Sequence, residues 1–310
     1  MNRPFLVLTA LAALVLSQGC AAATACRTRP ATSPGFERTA SDGVCLSHLQ
    51  WEPEQPPVRG VVVLIHGLRD YSDRYGGLAE ALRAQGFAVV AQDHRGHGYS
   101  GGDRQRVESM QQWVDDVDGV VQATRARHPG VPVVVFGHSM GGLVATHYTL
   151  QHAADVSGLI LSGAALALPP GVSGFDTRLA KIFGTLTPGL PAQSLDSEQF
   201  LHDGPEKERF LADPLITHEN LPARSAKALI VAIEALEGRL QELTLPLLVV
   251  HGGEDVITSI EGSRTLVAQA ASADKRLIIY EGQRHDLAHE PDAQKVIGDI
   301  VSWVEAHVPR

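Results

Sequence analysis

The sequence predicts an α/β fold, a mostly parallel sheet covered by helices on both faces, and two observations carry that expectation. Short runs of Val, Ile and Leu alternate with longer helical stretches along most of the chain, which is the pattern of parallel strands joined by helical crossovers. One junction is also chemically specific. The run Val131-Pro-Val-Val-Val-Phe136 leads into Gly137-His-Ser-Met-Gly141 and then Leu143-Val-Ala-Thr-His-Tyr-Thr-Leu150, the strand, tight turn and helix that present a strained nucleophilic serine. With 310 residues, 44% hydrophobic and 20% charged, the chain can bury a full core as one domain.

In chain order, strands are expected near 43–50, 61–65, 87–92, 132–136, 157–161, 246–251 and 276–280. Helices are expected near 76–85, 108–127, 141–153, 259–272 and 292–307. The runs Val61-Val-Val-Leu-Ile65 and Leu245-Pro-Leu-Leu-Val-Val250 are unbroken apolar segments of strand length, as expected for strands buried on both sides. No internal repeat interrupts the series. Between 165 and 241 the alternation stops, and Pro169, Pro170, Gly171, Gly174, Pro188, Gly189 and Pro191 punctuate short apolar stretches. That segment reads as a helical cap inserted over the strand ends. Phe175, Leu179, Ile182, Phe183, Leu186 and Leu190 need something to cover, and a cleft at Ser139 would give it to them. Phe183 and Leu186 are the candidate acyl-chain contacts. The competing reading is a small helical subdomain packed on itself.

Gly-x-Ser-x-Gly alone occurs by chance about once in ten chains of this length, so the rest of the constellation matters. On a fold of this kind the serine is followed in sequence by a carboxylate and then a histidine. After the strand at 246–251 comes His251-Gly-Gly-Glu-Asp255, and after Lys275-Arg-Leu-Ile-Ile-Tyr280 comes Glu281-Gly-Gln-Arg-His285. Asp255 is the expected orienting carboxylate, with Glu254 its rival; His285 is the expected base, with His289 its rival. These residue types suit acyl transfer: His285 takes the Ser139 proton while Asp255 fixes the imidazole and its charge. The oxyanion then needs two backbone donors, which by position are the N–H of Met140 and the N–H of Leu68 in the loop His66-Gly67-Leu68. Asp93, His94 and His97 crowd three ligand types into five residues, but a glycine-punctuated loop has no spacing that converges them on one ion. No metal and no cofactor are expected.

Three blocks carry a resemblance: His66-Gly-Leu-Arg-Asp-Tyr-Ser-Asp-Arg-Tyr75, Asp93-His-Arg-Gly-His-Gly-Tyr-Ser100 and Gly137-His-Ser-Met-Gly-Gly142. From about Ser41 to the C-terminus the chain resembles the monoacylglycerol lipase and lysophospholipase branch of the α/β-hydrolases, also classed as serine aminopeptidase-like. The resemblance implies that Ser139, Asp255 and His285 are catalytic and that backbone groups of Leu68 and Met140 form the oxyanion hole. It makes Asp70 and Arg74 candidate polar contacts for a substrate head group, although Asp70-Tyr71 stands where the family usually has Glu-His. It also implies that the Asp93 loop packs beneath the site. The expected substrate is a lipid-like ester, monoacylglycerol or lysophospholipid first, short-chain esters second, thioesters or peptides third. A lipid carrier that kept the fold without turnover is the other function class, and it would be expected to have lost a triad or oxyanion position.

The N-terminus reads as an export signal: Arg3 precedes a run from Phe5 to Leu16 that is apolar apart from Thr9, too short for a membrane span. Cys20 follows in Leu16-Ser-Gln-Gly-Cys20 and is the candidate lipidation site, giving a periplasmic or membrane-anchored lipoprotein held to a membrane surface. Ordinary cleavage after Ala23-Thr-Ala25, giving a secreted protein, is the rival. Residues 1–20 are then signal, 21–40 a linker and 41–310 the catalytic domain. Cys26 and Cys45 are a pair that an oxidising compartment would allow to bridge, with a loose leader arguing against it. A net charge of −9 argues against nucleic acid and supplies no basic patch for anionic lipid. Oligomeric state is left open.

Overall fold

The computed structural model describes residues 24–33, 35–168, 173–193 and 195–308. The strands are β1 (Phe36–Thr39), β2 (Cys45–Trp51), β3 (Val61–Ile65), β4 (Ala88–Gln92), β5 (Val133–His138), β6 (Gly158–Ser162), β7 (Pro191–Gln193), β8 (Leu221–Pro222), β9 (Leu247–Gly252) and β10 (Lys275–Tyr280). The helices are α1 (Gly76–Ala84), α2 (Met110–Arg127), α3 (Met140–Gln151), α4 (Gly174–Leu186), α5 (Pro205–Ala212), α6 (Ala223–Glu234), α7 (Ile260–Gln269) and α8 (Ala293–His307). Every strand and helix expected between 43 and 165 or beyond 241 is present, its ends within three residues of the expectation.

Eight strands form one sheet in the order β1-β2-β4-β3-β5-β6-β9-β10. From β4 to β10 all neighbours are parallel, and β2 and β1 close one side antiparallel. The register pairs Val61 with Val133 and Ile65 with Gly137, so β3 and β5 end side by side. From that pair the chain extends to β4 in one direction and to β6, β9 and β10 in the other. This is the switch point where parallel sheets hold their sites. Two apolar layers sandwich the sheet. One packs Trp113, Val121, Leu143 and Tyr148 from α2 and α3; the other packs Leu78, Leu82, Ile300 and Val304 from α1 and α8.

The insertion folds as a helical pair, α4 against α6, with the β7–β8 ribbon and α5 between them in sequence. The pair meets at Gly184, where a Cβ would lie 2.5 Å from Lys227 Cβ, so only glycine permits that approach. A Ser173/Asp176 capping box starts α4.

The expectation of an uncovered linker up to residue 40 is corrected. β1 pairs with β2, Cys26 and Cys45 are joined in a disulfide, and Arg29 sits in a pocket of acceptors. Its guanidinium donates to Asp73, Ser33 and Ser47, lies 3.3 Å from Asp93, and stacks 4.3 Å over Tyr99. The reason these contacts escape a pattern search is their form: single residues whose partners lie as far along the chain as Tyr99, and a four-residue strand too short to show a period. Among the described residues no helix is long and apolar enough to cross a membrane. The expected signal segment and Cys20 lie outside the described residues.

Candidate active site

Ser139 caps the N-terminus of α3 at the end of β5 with φ 55° and ψ −122°, a left-handed region that costs a serine energy. The neighbouring glycines make this turn possible. A Cβ on Gly141 would lie 2.2 Å from the Ile65 carbonyl, and one on Gly137 2.5 Å from the Gly141 carbonyl. Ser139 Oγ lies 2.8 Å from His285 Nε2, and His285 Nδ1 lies 2.8 Å from Asp255 Oδ2. With the Nδ1 proton donated to the carboxylate, Nε2 presents its lone pair to the serine hydroxyl.

Asp255 is held on all sides. Its Oδ1 accepts the backbone N–H groups of Ile257 and Thr258 at 2.8 and 2.9 Å, and the Thr258 hydroxyl lies 2.8 Å from Oδ2. His251 Nε2 is 3.3 Å from Oδ2 but lies too far out of line to bond it. Burial alone would raise this carboxyl; His285 beside it, by charge and by hydrogen bond, and the Thr258 backbone N–H outweigh it and hold Asp255 well below the usual carboxylate range. In the same way burial disfavours a charged His285, yet Asp255 beside it raises the imidazole above its ordinary value. His138, with its ring centroid 4.8 Å from that of His285, is pushed down to about 4 by burial and by His285, so it stays neutral beside the base.

The two expected oxyanion donors, the N–H groups of Leu68 and Met140, belong to residues beside Ser139. Leu68, Ser139 and Met140 line one cavity, and neither N–H has an acceptor among the described residues. The Leu68 donor is aimed by His66. The His94 backbone N–H donates to His66 Nε2 at 2.9 Å, so the proton sits on Nδ1, which donates to the Gly67 carbonyl at 2.7 Å. In a planar trans peptide that carbonyl and the Leu68 N–H point in opposite directions, so anchoring one orients the other. His94 itself stacks on Trp113 with centroids 4.2 Å apart, and Asp93 accepts the N–H groups of Ser72 and Tyr99. The Asp93 loop is thus the packed support beneath the oxyanion loop.

The cavity holds about 100 Å³ and is walled by Leu143, Ala165, Leu195, Phe200, Leu221, Ala226, Leu229, Ile230, Ile233 and Ile257. The inner face of α6 forms its roof, and Phe200 sets its ring edge-on to His285 with centroids 5.3 Å apart. Phe183 and Leu186 are not there. They lie on the outer side of the insertion, 44% and 74% exposed, because α4 turns its few buried positions, Thr177 and Gly184, toward α6. Asp70 and Arg74 are likewise corrected. Arg74 pairs with Asp70 at 2.7 Å and with Asp286 at 2.5 Å, and Tyr75 donates to Asp70 at 2.6 Å. Asp70 is buried and Arg74 partly so, both are held in ion pairs, and neither lines the Ser139 cavity.

Of the rivals, Glu254 is exposed and faces His202, and His289 is bound to Asp286 and to the Arg74 carbonyl. Neither meets Ser139. Sequence reasoning missed Thr258, His66 as a positioning group, Phe200 and the α6 wall. Asp255-x-x-Thr258 is a short-range turn pattern that could have exposed Thr258; Phe200 has no local signal.

A serine on a strained elbow, hydrogen-bonded to a buried histidine–aspartate pair and flanked by two N–H groups without acceptors among the described residues, is the arrangement of a serine hydrolase on the α/β-hydrolase fold. The serine aminopeptidase S33 family model matches residues 56–292. The chain is 39% identical over 266 residues to the monoacylglycerol lipase of Mycolicibacterium smegmatis, covering 86% of this chain and 95% of that one. It is 33% identical over 267 residues to human monoglyceride lipase, covering 85% and 88%. The crystal structure of the Paleococcus ferrophilus monoacylglycerol lipase superposes with a TM-score of 0.76 at 31% identity, covering 84% of this chain and 99% of that one. The chain belongs to the serine aminopeptidase S33 family of α/β-hydrolases, in its monoacylglycerol lipase-like group, and is a serine ester hydrolase.

Proposed function

We propose that the protein hydrolyses monoacylglycerols, with Ser139 as nucleophile, His285 as general base and acid, and Asp255 as the group that orients His285. The observation that carries the substrate reading is the wall of the Ser139 cavity, where no lining residue among those described bears a charge. An acyl chain gains roughly 0.8 kcal/mol for each methylene it buries there. A lysophospholipid would bring a phosphate, and among the described residues no cation lines the cavity to receive it. The names of the three relatives described above agree with a neutral glyceride.

The reaction follows from the geometry. His285 Nε2 takes the Ser139 proton as Oγ attacks the ester carbonyl, and the Leu68 and Met140 N–H groups receive the oxyanion. Collapse of the tetrahedral intermediate breaks the bond to the glycerol oxygen, and His285 returns the proton to that leaving alcohol. Water then repeats the cycle on the acyl-enzyme and releases the fatty acid. The test is a panel of acyl esters from C2 to C18 on purified wild type and Ser139→Ala. The expected result is a rate that climbs with chain length in wild type and is abolished in the variant. Residual turnover within tenfold of wild type would remove Ser139 from the mechanism.

The same reading places the enzyme outside the cytoplasm, anchored through a lipidated Cys20. Phe175, Phe183, Leu186 and Leu190 expose an apolar patch on the insertion, which suits work beside lipid, and stable anchoring needs more than one acyl chain, as a lipoprotein cysteine provides. Fractionation of cells expressing wild type and Cys20→Ser tests this: membrane association that the substitution abolishes supports it, whereas a soluble wild type whose chain starts at Cys26 would favour free secretion.

A further inference from the structure

Arg69 follows the oxyanion donor Leu68 directly and has φ 58°, a conformation that glycine adopts without strain and arginine does not. Its side chain is buried and no carboxylate lies within ion-pair distance among the described residues. All four of its acceptors belong to the cap. Nη1 donates to the Leu195 carbonyl and to Ser197 Oγ, both at 2.7 Å, and Nη2 reaches the Glu219 carbonyl at 2.7 Å and the His218 carbonyl at 3.3 Å. Ser197 Oγ is in turn 2.8 Å from His218 Nδ1, which ties the two ends of this cap segment together around the guanidinium. A buried charge whose hydrogen bonds all come from one partner cannot separate from it without being stranded.

We infer that Arg69 is a positioning residue that locks cap segment 195–219 to the oxyanion loop and thereby fixes the Leu68 N–H where the tetrahedral intermediate forms. This rests on the reading of Leu68 and Ser139 given above. The geometry gives the loop two independent holds. His66 anchors the Gly67 carbonyl from the sheet side, and Arg69 anchors the next residue from the cap side, so the Leu68 peptide is clamped between them. The same segment is pinned to the histidine loop, since the Asp286 N–H donates to the Phe200 carbonyl at 3.2 Å and Arg284 donates to the Leu201 carbonyl at 2.9 Å. Segment 195–219 therefore bridges the two catalytic loops.

The experiment measures kcat and KM on a soluble acetate ester, and the affinity of an alkylboronic acid, for wild type, Arg69→Gln and Ser197→Ala. The boronate adds to Ser139 Oγ as a tetrahedral anion and so reads the oxyanion hole without turnover. Arg69→Gln is expected to lower kcat and boronate affinity together by about 10- to 100-fold, less than the roughly 10²–10³ for deleting a donor outright, with KM within about twofold. Ser197→Ala, which keeps the charge and the Leu195 carbonyl, is expected to lower both by a few-fold. Boronate affinity unchanged in a folded Arg69→Gln would overturn the inference. Should that variant not fold, unchanged affinity in Ser197→Ala overturns it alone. A wild type that fails to bind boronate at all defeats the Ser139 reading, and this inference with it.

Discussion

The floor and the roof of the cleft are built on opposite principles. On the floor, the side chains of the proposed triad are polar and over-determined: Asp255 accepts from four groups, one of Ile257, two of Thr258 and one of His285. The roof, Ala226, Leu229, Ile230 and Ile233 of α6, offers no polar group and relies on contact area alone. Hydrogen bonds fix direction and apolar contacts do not. The floor can thus specify one reacting geometry, while the roof can grade substrates by length without dictating where the ester carbon sits. Damage to the floor should be equal for all chain lengths, and damage to the roof should grow with them.

The largest effect should come from Asp255→Asn. It leaves the shape of the floor intact but lets His285 adopt the wrong tautomer, with a loss on the order of 10⁴ in kcat, equal on acetate and dodecanoate esters. A loss that depended on chain length would break the division between floor and roof. Next, Cys45→Ser touches neither surface. It should lower unfolding free energy in urea by about 2–5 kcal/mol while the folded enzyme keeps its kcat.

Ile233→Ser opens the roof. A buried aliphatic side chain is worth about 1.5–3 kcal/mol, so kcat/KM on dodecanoate should fall by about tenfold or more while acetate changes by less than about twofold. A pH profile sharpens the floor further. His285 must be neutral to act, and its raised value means that kcat/KM declines as pH falls through a point above 6.5. In Asp255→Asn the residual acid limb should move to lower pH, because the buried imidazolium has lost its counter-charge; an unmoved limb would assign that titration to another group. The smallest effect belongs to Phe183→Ser and Leu186→Ser, which alter an exposed face and should change turnover of a soluble ester by less than about twofold.

The floor was legible in the sequence because each part is local. A strand runs into a glycine turn at Ser139, another into Asp255, and a third into His285. The roof was not. α4 and α6 are both amphipathic, and nothing in either helix says which one turns inward; that is decided by contacts such as Gly184 against Lys227. Choosing Phe183 and Leu186 as lining residues went wrong for that reason. Asp70 and Arg74 look like exposed loop charges until Asp286, 212 positions from Arg74, closes the pair. Arg69 was illegible too, since its acceptors lie 126 to 150 positions along the chain and three of the four are backbone carbonyls.

The short strand β1 has a bearing on how the protein behaves in a crowd. β2 runs for seven residues beside β4, and without a neighbour its outer rim would offer unpaired N–H and C=O groups to any other chain, the usual seed of strand-to-strand aggregation. β1 covers four of those residues, carries Glu37 and Arg38, and is stapled close by through Cys26 and Cys45. The opposite rim, β10, begins with the exposed cations Lys275 and Arg276. Both ends of the sheet are therefore short or charged. Material produced where the staple cannot form should lose solubility on standing before it loses turnover, with the excess collecting as cross-β oligomers and not as unfolded monomer.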